Sequence, residues 1–233
     1  MWSLSATASV ITVVCAILAG TSAVRSAEPQ LYPTGPKNGA AYIRFVNTAG
    51  GPLSITSRLA RIDLPAGDSR RATEFRAVVP GDDLAASLQV GGRTKMVDLV
   101  LARNELVTVV IGGVASGGPE AVIFRETPTD FNALKVSIAL YNADKHCPNG
   151  QLVARKQNTL VISGIRPGAL GRRSINPVNV GISGNCGDTP GTQLPVNLGE
   201  LEAGERYSVF IFDDANGVRQ ALGIHDEIGS SGP

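Results

Sequence analysis

The chain has 233 residues, a formal net charge of +1, 43% hydrophobic residues and 18% charged residues. This composition is typical of a globular protein and excludes an intrinsically disordered chain. The near-neutral charge, with no block of Lys and Arg, argues against nucleic acid as a partner.

Residues 1–23 have the pattern of a secretory signal peptide. They contain no charged residue, and the apolar run Val10–Leu18 is followed by the small-x-small cleavage pattern Thr21-Ser22-Ala23. A signal peptide normally carries Lys or Arg before its apolar run, and this one does not. An uncleaved anchor over Leu4–Val24, about 21 residues, therefore stays an alternative. We expect cleavage after Ala23 and export to the periplasm.

Residues 24–39 are polar, rich in Pro and Gly, and predict an exposed lead-in. Residues 40–127 then alternate short apolar runs with turn signals such as Pro80–Asp83 and Gly91-Gly92, the pattern of a β-sandwich domain. The predicted strands are Ala40–Asn47, Leu53–Ser57, Thr73–Val79, Ala85–Val90, Met96–Leu101, Leu106–Ile111 and Ala121–Glu126.

Residues 128–134 predict a short linker, and residues 135–233 predict a second β-sandwich domain with a polar C-terminal tail. Its predicted strands are Lys135–Tyr141, Gln151–Ala154, Thr159–Ile162, Ile175–Ser183, Val196–Leu201 and Tyr207–Phe212. No stretch shows a sustained helical period. The predicted fold class is therefore all-β, with two tandem antiparallel β-sandwich domains.

The two predicted domains share an order of features that indicates a duplication. The matched segments are Ile43–Asn47 with Ile138–Asn142, Arg70-Arg71 with Arg172-Arg173, and Val107–Ile111 with Ser208–Phe212. The alternative is the general likeness of any two sets of alternating strands.

The three cysteines predict one disulfide. Cys15 lies in the predicted signal peptide, which leaves Cys147 and Cys186 in the exported chain. An even pair in an oxidising compartment favours a bridge, and two free thiols are the alternative. Two cysteines without CxxC spacing and only two histidines fall short of a four-ligand set, so we expect no metal and no cofactor.

One segment resembles a catalytic motif. Gly67-Asp68-Ser69 is similar to the nucleophile block of GDS-type esterases, whose base lies in an Asp-x-x-His motif near the end of the chain. The only histidines here, His146 and His225, do not lie in such a motif. We interpret the segment as a hairpin turn and predict that the protein is not an enzyme.

Paired charged residues are the other candidates. His225-Asp226 is interpreted as part of a solvated tail. Asp82-Asp83 and Asp213-Asp214 are interpreted as turn residues, with Ca²⁺ or sugar binding as the alternative.

Two arginine pairs are the candidate binding residues. Arg70-Arg71 and Arg172-Arg173 could bind carboxylates of a polyuronate or a partner protein, because a guanidinium group grips a carboxylate with two hydrogen bonds. We expect Arg172-Arg173 and the adjoining Ser174–Val180 strand to form such a surface. A solvated strand face is the alternative.

Two segments together resemble a known family. Leu31–Asn47 (LYPTGPKNGAAYIRFVN) is similar to the mature start of the alginate O-acetylation accessory proteins (AlgF-like), and Arg172–Val180 (RRSINPVNV) is similar to a strand of their last third. The resemblance implies a periplasmic protein without catalytic residues, required for acetylating an exopolysaccharide. It also implies periplasmic acetyltransferases and a membrane acyl-transfer protein as partners.

Two functions are therefore predicted. The first is a non-catalytic adaptor in O-acetylation of alginate or an alginate-like polymer, which binds acetyltransferase partners or the polysaccharide itself. The alternative is a stand-alone carbohydrate-binding or adhesion module of the cell envelope.

Overall fold

Short strands joined by turns account for all the regular structure in the described part of the chain. The computed structural model describes residues 39–67, 70–115, 118–128, 132–156, 158–187 and 193–229. Sixteen strands within these ranges form four sheets of four strands each. The prediction of an all-β fold with two sandwich-like halves is confirmed. The described residues include no helix with the length and apolar character needed to cross a bilayer.

The first half is built from eight strands in two sheets. The strands are β1 (Ala41–Asn47), β2 (Leu53–Ser57), β3 (Arg61–Leu64), β4 (Arg76–Val78), β5 (Asp83–Val90), β6 (Arg93–Val100), β7 (Leu106–Ala115) and β8 (Gly118–Glu126). Its inner sheet has the order β4-β1-β7-β8 and its outer sheet β3-β2-β5-β6. β1 and β7 are parallel, and the other neighbours in these two sheets are antiparallel.

The second half repeats this topology strand for strand. The strands are β9 (Val136–Asn142), β10 (Gly150–Ala154), β11 (Thr159–Ile165), β12 (Leu170–Ile175), β13 (Ile182–Asn185), β14 (Leu194–Val196), β15 (Arg206–Asp213) and β16 (Arg219–His225). Its inner sheet has the order β12-β9-β15-β16 and its outer sheet β11-β10-β13-β14. β9 and β15 are the parallel pair.

The two inner sheets pack against each other and share a core. That core contains Val46, Val110, Phe124, Ala139, Tyr141, Phe210 and Phe212. The Tyr141 ring stacks on Phe210 at 4.7 Å and meets Phe124 edge-on at 5.2 Å. The central strands of the inner sheets are therefore buried on both faces, which explains why segments such as Leu106–Ile111 are nearly continuous apolar runs.

The register confirms one pair of matched segments and corrects another. Ile43–Asn47 does correspond to Ile138–Asn142, because each forms the end of its first strand and pairs in parallel with the next central strand. Asn47 pairs with Ile111 and Asn142 with Ile211, so Val107–Ile111 corresponds to Tyr207–Ile211, one residue earlier than predicted. A shift of one residue moves each side chain to the other face of the strand.

The predicted strands differ from the observed ones mostly in the second half. β3, β12 and β16 have no predicted counterpart. The predicted strand Ile175–Ser183 is instead the last residue of β12, an isolated bridge at Val178 and the start of β13, and the predicted strand Val196–Leu201 overlaps β14 only at Val196. The predicted turn at Gly91-Gly92 is a two-residue hairpin between β5 and β6. Both glycines have positive φ, which such hairpins require.

The predicted polar tail is wrong for residues 219–229. β16 pairs with β15 along its whole length. Beyond it, the Phe75 N–H donates to Glu227 O at 2.8 Å, and the Gly229 N–H donates to Phe75 O at 2.9 Å. The segment 226–229 thus crosses from the second half to the first, and the described residues belong to one compact unit.

Candidate functional site at the interface between the halves

Strand alternation directs charged side chains into the space between the inner sheets. On β1, Ile43 and Phe45 enter the core of the first half, so Arg44 between them points toward the second half. β15 behaves in the same way, with Val209 in the core of the second half and Ser208 facing the first half. The interface between the halves therefore has polar groups within an apolar surround.

Arg44 is fully buried, with 1% of its surface exposed, yet each of its guanidinium nitrogens donates a hydrogen bond. The acceptors are Thr108 Oγ1 at 2.9 Å, Asp226 Oδ1 at 2.7 Å and Ser208 Oγ at 2.7 Å. Its Cζ also lies 4.3 Å from the centre of the Phe75 ring, a cation–π contact. Arg44 thus joins two strands of the first half to two segments of the second half.

Glu126, at the end of β8, joins the halves from the other direction. Its Oε1 lies 2.8 Å from Arg172 Nε and 2.6 Å from Arg206 Nη2, and its Oε2 accepts a hydrogen bond from Tyr141 Oη at 3.2 Å. Arg172 Nη2 lies 3.3 Å from Asp226 Oδ2. These contacts connect all the charges into one group, here named the interface cluster: Arg44, Glu126, Arg172, Arg206 and Asp226.

The interface cluster favours the ionised forms of Glu126, Arg172 and Asp226. Burial alone would raise the pKa of Asp226, but Arg44 and Arg172 lower it to about 2. Burial also opposes the ionisation of Glu126, and Arg172 and Arg206 lower its pKa below the usual value. The pKa of Arg172 is raised despite its burial, because Tyr141, Asp226 and Glu126 favour the cation. Both carboxylates and Arg172 are therefore fully charged at neutral pH, and the cluster acts as a fixed electrostatic clamp.

A groove opens beside the interface, between residues 70–74, which precede β4, and β16. It has a volume of about 480 Å³, and both halves line it: Arg70, Ala72, Thr73 and Glu74 from the first, and Asn197, Leu198, Gly223, Ile224, His225 and Glu227 from the second. His225 Nε2 lies 2.8 Å from Glu205 Oε2. The groove lining thus combines basic and acidic residues with the apolar residues Ala72, Leu198 and Ile224.

The four arginines of the two predicted pairs lie in different environments. Arg172 belongs to the interface cluster and has only 15% of its side chain exposed, so the prediction that it lies on a partner-binding surface is wrong. Arg173 is exposed and donates to Val161 O at 2.9 Å. Arg71 donates to Asn47 O at 2.8 Å and lies over the Phe212 ring, while Arg70 is exposed along the groove.

The two pairs are also not equivalent in the repeat. Arg71 O accepts from Asn47 N, and the matching bond in the second half runs from Asn142 N to Ala169 O. Ala169, not Arg173, therefore corresponds to Arg71. The adjoining segment is not a continuous strand either, since β12 ends at Ile175.

The predicted disulfide between Cys147 and Cys186 is confirmed, with a Cα–Cα distance of 5.1 Å. Asp144 lies close to this pair, but the bridged sulfurs offer no thiolate to a metal. Asp68 and Ser69, the centre of the esterase-like segment, lie outside the described residues.

Four members of the interface cluster were missed from the sequence. Asp226 was assigned to a solvated tail, but it is buried and paired with Arg44. One signal was present for Arg44, because an arginine in the middle of the apolar strand AAYIRFVN needs a buried partner. A second signal was the equivalence of Glu126 and Asp226, which lie at the end of the last strand of each half.

Comparisons with known proteins identify structural neighbours of low similarity. No family model matches the chain, and no curated protein matches it. The Bacillus anthracis TIE protein aligns at 7% identity over 76% of this chain, with a TM-score of 0.25, and this chain spans only 34% of that protein. A proposed cell adhesion protein from Bacteroides ovatus ATCC 8483 aligns at 10% identity over 84% of this chain and 100% of its own length, with a TM-score of 0.28. Similarity at this level carries no functional argument.

Proposed function

We propose that this protein is an exported, non-catalytic accessory protein that supports O-acetylation of an exopolysaccharide, alginate or alginate-like. In this proposal it works in the periplasm by binding the acetyltransferases and the membrane acyl-transfer protein that modify the polymer. The family resemblance of Leu31–Asn47 and Arg172–Val180 motivates the proposal.

The observation that carries it is the groove shared by the two halves. An adaptor must hold its binding surface in a fixed geometry, and the interface cluster and shared core fix the two walls of the groove relative to each other. Arg70, His225, Glu74 and Glu227 are the ionisable residues of its lining. A surface that combines charged and apolar residues is typical of a protein–protein contact, where charged residues govern encounter and specificity.

The disulfide supports the proposed compartment. Bridged cysteines persist in oxidising environments such as the periplasm and are rare in the bacterial cytosol. The signal peptide predicted from residues 1–23 lies outside the described residues, and the mass of the mature N-terminus tests it directly.

A deletion strain tests the adaptor role. Wild-type protein should restore the acetyl content of the secreted polymer, and Arg70→Glu should restore it only in part while the melting temperature stays within a few degrees of the wild type. The matched control is Arg61→Glu, a similar charge reversal on the outer sheet, where Arg61 is 69% exposed. Normal acetylation in the deletion strain, or equal rescue by Arg70→Glu and wild type, would overturn the proposal.

The same strains separate the adaptor from a stand-alone carbohydrate-binding module. An adaptor should co-purify with acetyltransferases from periplasm, and this retention should fall with salt because charges at the contact are screened. A carbohydrate-binding module should be retained on immobilised alginate as purified protein, and its deletion should leave acetylation unchanged.

A further inference from the structure

Two carboxylates and an imidazole meet at the other end of the interface. Asp144 and His146 lie on the loop between β9 and β10, and Asp213 lies at the end of β15. His146 Nδ1 is 2.9 Å from Asp213 Oδ2 and 3.8 Å from Asp144 Oδ1. One ligand atom from each residue lies within 4.8 Å of the others, a separation that a single coordinated metal ion can bridge.

The loop that presents Asp144 and His146 is held in place on both sides. Asn142 Oδ1 accepts from the Asp144 N–H at 3.2 Å, and Asn142 Nδ2 donates to Cys147 O at 2.7 Å. Cys147 is itself bonded to Cys186. The ligand positions are therefore fixed by the fold, and a metal ion would bind without first having to order the loop.

Arg219 holds the backbone and side chain of this loop by two hydrogen bonds. Its Nε donates to Asp144 Oδ2 at 2.6 Å and its Nη2 to His146 O at 3.0 Å. Asp144 Oδ1 remains on the side of the imidazole, where it accepts the backbone N–H of His146 at 2.7 Å. Metal-binding carboxylates commonly have such hydrogen-bonded supports, which orient the ligand oxygen toward the ion.

The group lines a cleft that an ion can enter. The cleft has a volume of about 230 Å³ and lies between the halves, with Thr48, Gly112, Gly113 and Glu120 of the first half on its opposite wall. The His146 side chain is 65% exposed. An ion held by Asp144, His146 and Asp213 would therefore keep coordination positions open toward the cleft for water or a ligand oxygen.

We propose that Asp144, His146 and Asp213 form a binding site for a divalent transition metal ion, of which Zn²⁺ is the best match. An imidazole nitrogen with carboxylate oxygens suits Zn²⁺, whereas Ca²⁺ and Mg²⁺ select all-oxygen sites. The proposal does not rest on the proposed function, since it concerns only these residues and the ion.

Titration with Zn²⁺ alone tests the site. The mature, disulfide-intact protein, without a purification tag and stripped with EDTA, should bind one equivalent of Zn²⁺ by calorimetry and by metal analysis after dialysis. His146→Ala and Asp213→Asn should each weaken binding at least ~10-fold, because each removes one of three ligands.

His225→Ala is the matched control. His225 is also an exposed histidine beside a carboxylate, but within the described ranges no group of three metal-ligating side chains includes it. Its replacement should leave Zn²⁺ binding unchanged. Because His146 is exposed, His146→Ala should retain the wild-type circular dichroism and melting temperature in EDTA. A wild-type protein that binds no Zn²⁺, or binding that survives both His146→Ala and Asp213→Asn, would overturn the proposal.

Discussion

The two halves share a framework and differ in the charges placed on it. Asn47 and Asn142 occupy the same position at the end of the first strand, and both use the side-chain amide to close the following loop. Both also accept a backbone N–H two residues on, from Ala49 and Asp144 respectively. The repeated topology is thus marked by a repeated hydrogen-bonding residue in each half.

The positions that face the interface have diverged. The strand registers make Ala139 of the second half equivalent to Arg44 of the first half. In the same way, Arg206 of the second half is equivalent to Leu106 of the first half. Acids occupy the equivalent positions Glu126 and Asp226 in both halves. Each acid forms an ion pair with an arginine of the opposite half: Asp226 pairs with Arg44, and Glu126 pairs with Arg172.

This difference explains how two sandwiches of the same topology form one compact unit. Two identical halves would present the same charges to each other, whereas these halves present complementary ones. The shared apolar core supplies contact, and the interface cluster supplies the pairing that fixes how the halves are oriented.

Arg44→Ala copies the residue of the second half into the first and should have the largest effect. It leaves Asp226 with only Arg172 as its cationic partner in a buried site, and it removes the cation–π contact with Phe75. We expect a loss of about 4 kcal/mol in the free energy of unfolding, the usual range for breaking a buried ion pair. Urea unfolding at pH 7 measures it.

A double-mutant cycle assigns this loss to the interface. Asp226→Ala should also destabilise, and the Arg44→Ala/Asp226→Ala protein should lose less than the sum of the two single variants, because the two residues interact directly. Additive losses would show that Arg44 acts through packing alone.

Arg172→Ala and Arg173→Ala compare neighbouring residues of one strand on opposite sides of the sheet. Arg172 contacts both Glu126 and Asp226, so we expect its replacement to cost about 3 kcal/mol. Arg173 is exposed, and its replacement should cost less than about 0.5 kcal/mol. The difference between the two midpoints of urea unfolding checks both values. Equal effects would contradict the assignment of Arg172 to the interface.

A strand could be predicted from the sequence where its position depends on a local pattern alone. Alternation and turn residues locate most strands, and Gly91-Gly92 fixes a hairpin by its backbone conformation alone. β16 was missed because its residues are half-buried and carry charges that are neutralised by distant partners, such as Arg219 by Asp144. Its place is decided by tertiary contacts that no local pattern contains.

The interface could not be predicted for a related reason. Arg172 and Arg173 are chemically identical in the sequence, and only the register of β12 on β9 decides which of them enters the interface. The same holds for Asp144, His146 and Asp213, since 67 residues separate His146 from Asp213. Asp213 comes close to Asp144 and His146 only because β15 pairs with β9 in the folded protein.

Acidification should weaken the interface by a smaller amount. Asp226 has a pKa of about 2 in the folded protein and titrates near 3.8 as an ordinary carboxyl group. Because the folded pKa is the lower one, the ionised carboxylate stabilises the folded state above about pH 4, and this contribution is lost as the pH falls from about 4 to about 2. At about 1.4 kcal/mol per pKa unit, the loss is about 2 kcal/mol. Glu126, whose pKa is also lowered, acts in the same direction.

Urea unfolding measured between pH 7 and pH 2 tests this dependence, and Asp226→Asn is the variant that isolates it. An amide at this position cannot ionise, so the variant should be less stable than wild type at pH 7 and should lose less stability on acidification. The two stability curves should therefore converge as the pH falls toward 2, where the wild-type carboxylate also takes up its proton. Curves that stay parallel would show that Asp226 contributes nothing to the acid dependence, and that the clamp between the halves does not depend on the charge of this residue.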